Sequence, residues 1–167
     1  RDVSRSSLNR QIGMVPQEPF LFTGSIRENI RYCRREIEDG ALAEVCGMIG
    51  AHDFIEELED GYDSQVEERG LNFSPGQRQL ISLARALVTD PRILVLDEAL
   101  SSVDAENEAI IQEALDRLME GRTTLIIAHR LSSVIGTDRI LVLDQGRVAE
   151  TGSHTDLMAS DGVYAQL

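Results

Sequence analysis

The stretch Arg92-Ile93-Leu94-Val95-Leu96-Asp97-Glu98 places four apolar residues directly before two carboxylates. Such a run is typical of a strand that is buried on both faces, as in a parallel sheet. Open α/β sheets bind their ligands beyond the carboxyl ends of these strands. At that position Asp97 could hold a magnesium ion and Glu98 could activate a water molecule. The pattern alone is weak, because many strands end in a solvated carboxylate.

The composition indicates one globular domain. The 167 residues are 42% hydrophobic, which is enough for a sizeable core. The net charge of −13 argues against binding to nucleic acid or anionic lipid through the general field of the domain. We expect neither a membrane span nor a signal peptide within the sequence. Two cysteines, Cys33 and Cys46, without C-x-x-C spacing favour a reduced cytosolic setting.

All 16 basic residues are arginine, and the chain contains no lysine. A phosphate-binding loop of the form G-x-x-x-x-G-K-[ST] uses its lysine to reach the terminal phosphates of a nucleotide. These 167 residues therefore do not include that loop. A nucleotide site here would depend on other local groups.

Capping and turn residues divide the chain into alternating strands and helices. The clearest helix is predicted over 74–89, with Ser74 as N-cap, Pro75 at the first helical position and Gln77 at the third. We also predict strands at 11–16, 93–97 and 124–128, a hairpin with strands at 140–143 and 147–150, and helices after Ser25, within 39–60, from Asp104 to Gly121, at 131–136 and at 154–159. This alternation predicts an α/β fold with a mainly parallel sheet, to which the hairpin adds a local antiparallel part.

Five segments, in order, resemble the motifs of the nucleotide-binding domain of ATP-binding cassette (ABC) transporters, most closely of the exporter type. They resemble the Q-loop region (Val15-Pro16-Gln17 through Ile30), the signature motif with its approach (Glu68-Arg69-Gly70 and 73–79), Walker B with the catalytic glutamate (94–98), the D-loop (101–104) and the H-loop (127–130). The resemblance spans nearly the whole chain. It implies an α/β fold: a partial P-loop NTPase (RecA-like) core plus the ABC helical subdomain.

The resemblance implies a single, partial nucleotide-binding domain over residues 1–167, comparable with the C-terminal two-thirds of a complete one. Residues from about 22 to 92 would form the helical and signature subdomain. Residues 1–21 and 93–167 would form part of the catalytic core. The Walker A segment, and an aromatic residue that stacks on adenine, would precede residue 1.

In this family the Walker A strand lies inside the sheet, between the strand that ends at His129 and the strand near Ile140. Without it, two apolar strand edges would be unpaired. Unpaired flat edges pair readily with other chains. We therefore expect the isolated chain to self-associate or aggregate.

The resemblance also implies that ATP lies between two such domains, which face each other head to tail. Glu98 would act as general base, and Asp97 would support Mg2+. His129 would form a hydrogen bond to the γ-phosphate. Gln17 would contact magnesium or the attacking water and sense the transmembrane domain. For His129 and Gln17 the alternatives are a buried structural histidine and a turn residue.

The signature helix would serve the ATP held by the opposite copy. Ser74 and Gly76 would donate to its γ-phosphate, and Gln77 belongs to the same motif. Asp104 would communicate across the dimer, although it would serve equally well as an ordinary helix cap. The usual L-S-G-G-Q reads Phe-Ser-Pro-Gly-Gln, so Pro75 removes one backbone N–H from a helix start that should face phosphate. Proline suits that position sterically, so the helix itself should form.

The function implied is an ATP-binding and hydrolysing domain that powers an ABC exporter at the cytoplasmic face of the cell membrane. ATP and Mg2+ would be its cofactors. Its partners would be the transmembrane domain of the same transporter and a second nucleotide-binding domain, with no nucleic acid. The chain alone should lack ATPase activity. Two alternatives stay open: a non-catalytic or degenerate partner domain in a heterodimer, and a non-transport ABC-type ATPase.

Overall fold

The computed structural model describes residues 3–32, 34, 36–97, 112, 115, 116, 119–128 and 131–166. The predicted site residues Glu98, Asp104 and His129 lie outside the described residues, as does most of the helix predicted from Asp104. The chain divides into two compact units, Arg1–Ile127 and Ala128–Leu167.

The first unit is built on a parallel sheet of three strands. In chain order it contains α1 (Arg5–Arg10), β1 (Ile12–Val15), β2 (Gly24–Ser25), α2 (Ile26–Arg31), α3 (Asp39–Met48), α4 (His52–Glu56), β3 (Gln65–Val66), α5 (Pro75–Leu87), β4 (Ile93–Asp97) and β5 (Thr123–Ile127). The strand order is β1-β4-β5, and both pairings are parallel. The predicted α/β class with a parallel sheet is confirmed. The short antiparallel ribbon of β2 and β3 was not predicted.

The two faces of this sheet differ in burial. Val15 and Leu96 lie opposite each other in the register and are 0% and 4% exposed. Met14 and Leu125 are the two register partners of Val95, which points to the other face, and they are 57% and 53% exposed. Side chains alternate along a strand, so one face is part of the core and the other carries exposed apolar surface.

The strand β5 has exposed apolar side chains at Leu125 and Ile127 and pairs only with β4 within the described part of the chain. Apolar edge strands favour association between chains. We expect the isolated chain to sediment as a mixture of oligomers whose mean mass rises with concentration. A monodisperse monomer at high concentration would contradict this prediction.

The predicted helix over 74–89 is confirmed as α5, which ends two residues early at Leu87. Ser74 and Gln77 form the expected capping box, and Pro75 occupies the first helical position without preventing the helix. Most of α5 is buried because it packs against β1, α2 and α3. Its buried apolar side chains are Leu80, Ile81, Leu83, Ala84, Ala86 and Leu87.

The shorter helices also follow their local signals. Ser25 caps α2 through a second capping box, with Glu28 at the third helical position. The helical region 39–60 divides into α3 and α4 at Gly50, whose φ is +69°. No helix in the described residues has the length and apolar character needed to cross a bilayer.

The second unit is a hairpin followed by a helix. β6 (Ile140–Asp144) and β7 (Arg147–Gly152) pair antiparallel, as predicted, with an irregularity after Val142. Gln145 and Gly146 have φ values of +46° and +76°, which suit a tight two-residue hairpin turn. Within the described residues these strands pair only with each other. The final helix α6 (His154–Ala159) begins after the capping box of Ser153 and Asp156.

The helix predicted over 131–136 was wrong in extent. Only a single 3-10 turn forms, at Leu131–Ser133. Both the backbone N–H and the hydroxyl of Thr137 donate to the Val134 carbonyl, at 3.1 and 2.8 Å. These bonds close a tight turn in place of a continuing helix.

Gly13 is the point of closest approach between β1 and α5. A Cβ atom there would lie 2.7 Å from the Ala86 carbonyl oxygen and 2.8 Å from Pro91 Cγ. Because backbone cannot move aside cheaply, we expect Gly13→Ala to lower the free energy of unfolding by about 1–3 kcal/mol. Urea unfolding followed by circular dichroism measures this change.

Gly47 in α3 provides a matched control, since a Cβ there would meet nothing within 4 Å. Gly47→Ala should raise stability by up to about 1 kcal/mol, because alanine favours a helix interior over glycine. Equal effects of the two substitutions would contradict the close approach at Gly13.

Candidate functional site

Two of the predicted site residues lie at the carboxyl ends of neighbouring strands of the parallel sheet. Val15 and Leu96 are register partners in β1 and β4. Gln17 therefore follows the carboxyl end of β1, while Asp97 forms the carboxyl end of β4. Asp97 in turn pairs with Ile127, the last residue of β5. Parallel strands thus bring Gln17 and Asp97 to the edge where α/β sheets bind ligands.

The other two predicted catalytic residues, Glu98 and His129, lie outside the described residues. Glu98 follows Asp97 directly, and His129 follows Ala128, one residue after β5 ends. Their roles at the site stay predictions.

The oxygen atoms at this edge suit a magnesium ion that is bound together with a nucleotide. Asp97 is partly exposed and Gln17 is exposed. Magnesium usually takes one or two protein oxygens and completes its shell with water and phosphate. Among the described residues no group of three or more His, Cys, Asp or Glu could form a complete metal cage. These donors fit a shared magnesium site better than a structural zinc site.

The first turn of α5 gathers Ser74, Gly76 and Gln77. Ser74 Oγ accepts from the Gln77 N–H at 3.1 Å, and Gln77 Oε1 accepts from the Ser74 N–H at 2.9 Å. The Arg78 N–H bonds the Ser74 carbonyl at 3.0 Å, and Pro75 has no N–H. The donors that this turn still offers are the hydroxyl proton of exposed Ser74, the N–H of buried Gly76 and the side-chain amide N–H groups of Gln77.

The loop before this turn is held in place by its own side chains. Arg78 Nη1 donates to the Phe73 carbonyl at 2.6 Å. Gly70 has a φ of +70°, and a Cβ there would lie 2.8 Å from Leu21 Cδ1. Asn72 accepts from the Glu67 N–H at 3.0 Å and donates to the Gln65 carbonyl at 2.8 Å. Ser74 is therefore presented from a preorganised loop.

A polar contact between α2 and α5 was not found from the sequence. Arg85 donates to the carbonyls of Phe20 and Asn29 and to Asn29 Oδ1, each at 2.8 Å. Burial lowers the pKa of the Arg85 guanidinium. All its described acceptors are neutral. The sequence did contain one indication of this contact: Asn29 is a polar residue on the face of α2 that Ile26 and Ile30 bury, and a buried amide needs hydrogen-bond partners.

The Arg78 and Arg85 guanidinium groups both bond backbone carbonyls of neighbouring loops, those of Phe73 and Phe20. Asn29 is 2% exposed and also bonds Phe22 and Ser25. Asn29, in α2, therefore connects the chain segment from Phe22 to Ser25 with Arg85 in α5.

Comparisons with known proteins agree with these motifs. A family model described as ABC transporter matches residues 1–101. An uncharacterised ABC transporter ATP-binding protein of Bacillus subtilis, YknV, is 50% identical over 167 residues, which are 100% of this chain and 28% of the relative. A Staphylococcus aureus protein, provisionally named a multidrug export ATP-binding/permease protein, is 47% identical over 167 residues, which are 100% of this chain and 29% of that relative.

A solved structure, described as a bacterial Atm1-family ABC exporter with ATP bound, superimposes with a TM-score of 0.90 at 43% sequence identity. The match covers 98% of this chain and 29% of that chain. The chain thus spans less than a third of the length of these relatives.

Proposed function

The chain belongs to the ABC transporter family, and we propose that, within the intact protein, it binds and hydrolyses ATP with magnesium to drive export across a membrane. The parallel register that brings Gln17 and Asp97 to one sheet edge is the observation that carries this proposal. The similarity to an exporter with ATP bound gives it further support.

In this proposal each predicted site residue has a separate task. Asp97 and Gln17 hold the magnesium ion, which neutralises phosphate charge when it is bound. Glu98 accepts a proton from the attacking water, and His129 forms a hydrogen bond to the γ-phosphate. The residues 1–21 and 93–167 would then be the catalytic part, and about 22–92 the helical and signature part.

The proposal also requires two partners. A second nucleotide-binding domain, arranged head to tail, receives the donors of Ser74 and Gly76 on its ATP, with Gln77 holding the turn and Asp104 communicating between copies. The preorganised loop before Ser74 supports this role, because the bonds of Arg78 to the Phe73 carbonyl and of the Glu67 N–H to Asn72 hold the backbone beside Ser74 without help from a ligand. The transmembrane domain of the same transporter places the chain at the cytoplasmic face of the membrane.

Asp97 offers a direct test, because the chain contains its own control. The sequence Ile-Leu-Val-Leu-Asp occurs in β4, where it ends at Asp97, and again in β6, where it ends at Asp144. We expect Asp97→Asn in the intact transporter to raise the magnesium concentration needed for half-maximal ATP hydrolysis at least about tenfold, since a neutral amide replaces the anionic ligand. Phosphate release across a magnesium titration measures this shift.

Asp144→Asn, made in the same intact transporter, should leave that magnesium requirement unchanged. Equal responses of the two variants, or an unchanged response to Asp97→Asn, would remove the support for a magnesium site at this edge.

A further inference from the structure

The segment 67–73, called here the approach loop, leads into the first turn of α5, residues 74–77, called here the signature turn. Buried apolar side chains hold the chain on both sides of the loop: Val66 is 1% exposed and Phe73 is 6% exposed. Between these two anchors every residue except Gly70 is exposed. Few buried contacts fix the backbone of such a segment, so its conformation depends on its polar contacts.

Asn72 closes the approach loop with both ends of its amide. Its Oδ1 accepts from the Glu67 N–H at 3.0 Å, and its Nδ2 donates to the Gln65 carbonyl at 2.8 Å. Gln65 lies in β3 and pairs with Ser25 in β2. Asn72 therefore fastens the backbone two residues before Ser74 to the ribbon of β2 and β3.

The backbone of the approach loop is strained where this amide bridges it. Arg69 and Gly70 follow each other in the left-handed region, with φ values of +58° and +70°. This region is disfavoured for arginine, which has a side chain, so the turn relaxes unless other contacts oppose it. Arg78 restrains the end of the loop through its bond to the Phe73 carbonyl at 2.6 Å. The two bonds of Asn72 restrain its beginning.

We propose that Asn72 is a positioning residue for ATP hydrolysis. Its amide holds the approach loop in the conformation in which Ser74 and Gly76 can donate to the γ-phosphate bound by the opposite copy. Donors that are already oriented need no reorganisation when the phosphate arrives. This inference rests on the proposed function and adds the residue that keeps the signature turn ready.

The proposal has a definite kinetic consequence. A protein that adopts its binding-competent conformation for a fraction of the time loses apparent affinity by that same fraction. Loss of two surface hydrogen bonds lowers the competent population roughly three- to tenfold. Saturating ATP restores that population, because the γ-phosphate selects the competent conformation. The Michaelis constant for ATP should therefore change, and the turnover number should not.

Asn72→Ala in the intact transporter tests this consequence. We expect the KM for Mg-ATP to rise about three- to tenfold, while kcat stays within about twofold. The inhibition constant of ADP should be unchanged, because ADP has no γ-phosphate for the signature turn to meet. Phosphate release with and without added ADP gives all three constants. An unchanged KM, or equal rises in the ATP and ADP constants, would overturn the proposal.

Gln65→Ala is the matched control in the same part of the chain. The exposed Gln65 amide donates to the Asp63 carbonyl at 3.2 Å, and its truncation leaves in place the Gln65 carbonyl that Asn72 uses. This variant should leave the KM for ATP unchanged. Equal rises in Gln65→Ala and Asn72→Ala would show a general effect of the ribbon and overturn the assignment to Asn72.

Gly70→Ala separates positioning from direct contact with ATP. A Cβ at this position would lie 2.8 Å from Leu21 Cδ1 and 3.1 Å from Arg78 Cδ, at a φ of +70°. The substitution therefore displaces the approach loop and adds no polar group that could reach the nucleotide. It should also raise the KM for ATP and leave the ADP constant unchanged. A rise with Asn72→Ala alone would mean that Asn72 contacts ATP itself, which contradicts a positioning role.

Ser74→Ala separates this inference from the proposed function, because it removes a proposed donor and not its support. A higher KM for ATP in Ser74→Ala together with an unchanged KM in Asn72→Ala overturns this inference alone. An unchanged KM in Ser74→Ala counts against the head-to-tail arrangement and removes the basis of both. The absence of ATP hydrolysis in the unsubstituted transporter would overturn the proposed function itself.

Discussion

Replacing Asn29 by leucine is expected to lower the free energy of unfolding of the chain by about 3–5 kcal/mol, because leucine leaves several buried polar groups unpaired. Asn29 Oδ1 accepts from the Phe22 N–H at 2.9 Å and from Arg85 Nη2 at 2.8 Å. Its Nδ2 donates to the carbonyls of Phe22 and Ser25 at 2.8 and 3.0 Å.

The free energy of unfolding lost in Asn29→Leu is larger than for neutral hydrogen bonds, because one of the partners left behind is the charged guanidinium of Arg85. Its guanidinium is desolvated, and burial already lowers its pKa. Without Asn29 Oδ1 the partly buried charge loses one of its three described acceptors, and such a loss costs more for a charged group than for a neutral one. A loss of several kcal/mol is a large part of the 5–15 kcal/mol that stabilises a typical domain.

Urea unfolding at low micromolar concentration, followed by circular dichroism, measures the effect of Asn29→Leu. Asn9→Leu serves as the control, because Asn9 is exposed in α1 and should change stability by no more than about 0.5 kcal/mol. If the two variants unfold at the same urea concentration, the network around Asn29 does not hold α2 against α5.

The repeated pentapeptide Ile-Leu-Val-Leu-Asp shows what a local sequence does and does not determine. In β4 it lies between two parallel strands, and Leu94 and Leu96 are 0% and 4% exposed. In β6 it forms one arm of a hairpin, and the corresponding Leu141 and Leu143 are 56% and 69% exposed. The five residues predict a strand in both places. Their flanks separate the two environments: Gln145-Gly146 favours a hairpin turn, whereas Glu98 follows the other copy.

The starts of the capped helices were predicted well, because a capping box depends on two residues only three positions apart. Ser25, Ser74 and Ser153 all begin helices through capping boxes, which need only the local chain. Contacts across long sequence separations could not be predicted in this way. Arg85 and Asn29 are 56 residues apart, and neither residue type alone indicates which partner it will meet.

The candidate site was predicted only in part. Asp97 was predicted at the carboxyl end of a buried strand, and β4 does end there. The parallel register also puts Gln17 just beyond the carboxyl end of the neighbouring strand, which was not worked out from the sequence. The chemical roles came from the resemblance to a family and stay predictions. A cavity lined by Arg31, Arg34 and Arg85 was missed, since it is assembled from α1, β1, the end of α2 and the end of α5, which only the fold brings together.

Replacing Glu98 by glutamine in the intact transporter is expected to lower the turnover number for ATP hydrolysis by about 10²–10⁴-fold. Glutamine has nearly the same shape but cannot accept a proton from the attacking water. The affinity for ATP should change little, because the charge removed is assigned to the chemical step and not to binding. Phosphate release gives the turnover number, and filter binding of labelled ATP gives the affinity.

Glu57→Gln is the matched control, since Glu57 is exposed at the end of α4 and should leave both quantities unchanged. The size of the loss at Glu98 also separates the alternatives for this chain. A loss of at least about 10²-fold requires that this copy hydrolyses ATP. Unchanged turnover together with retained ATP binding would instead favour a degenerate partner domain. Pro75 is the sequence feature that supports this alternative most directly, because it removes one backbone N–H from a helix start that should face phosphate.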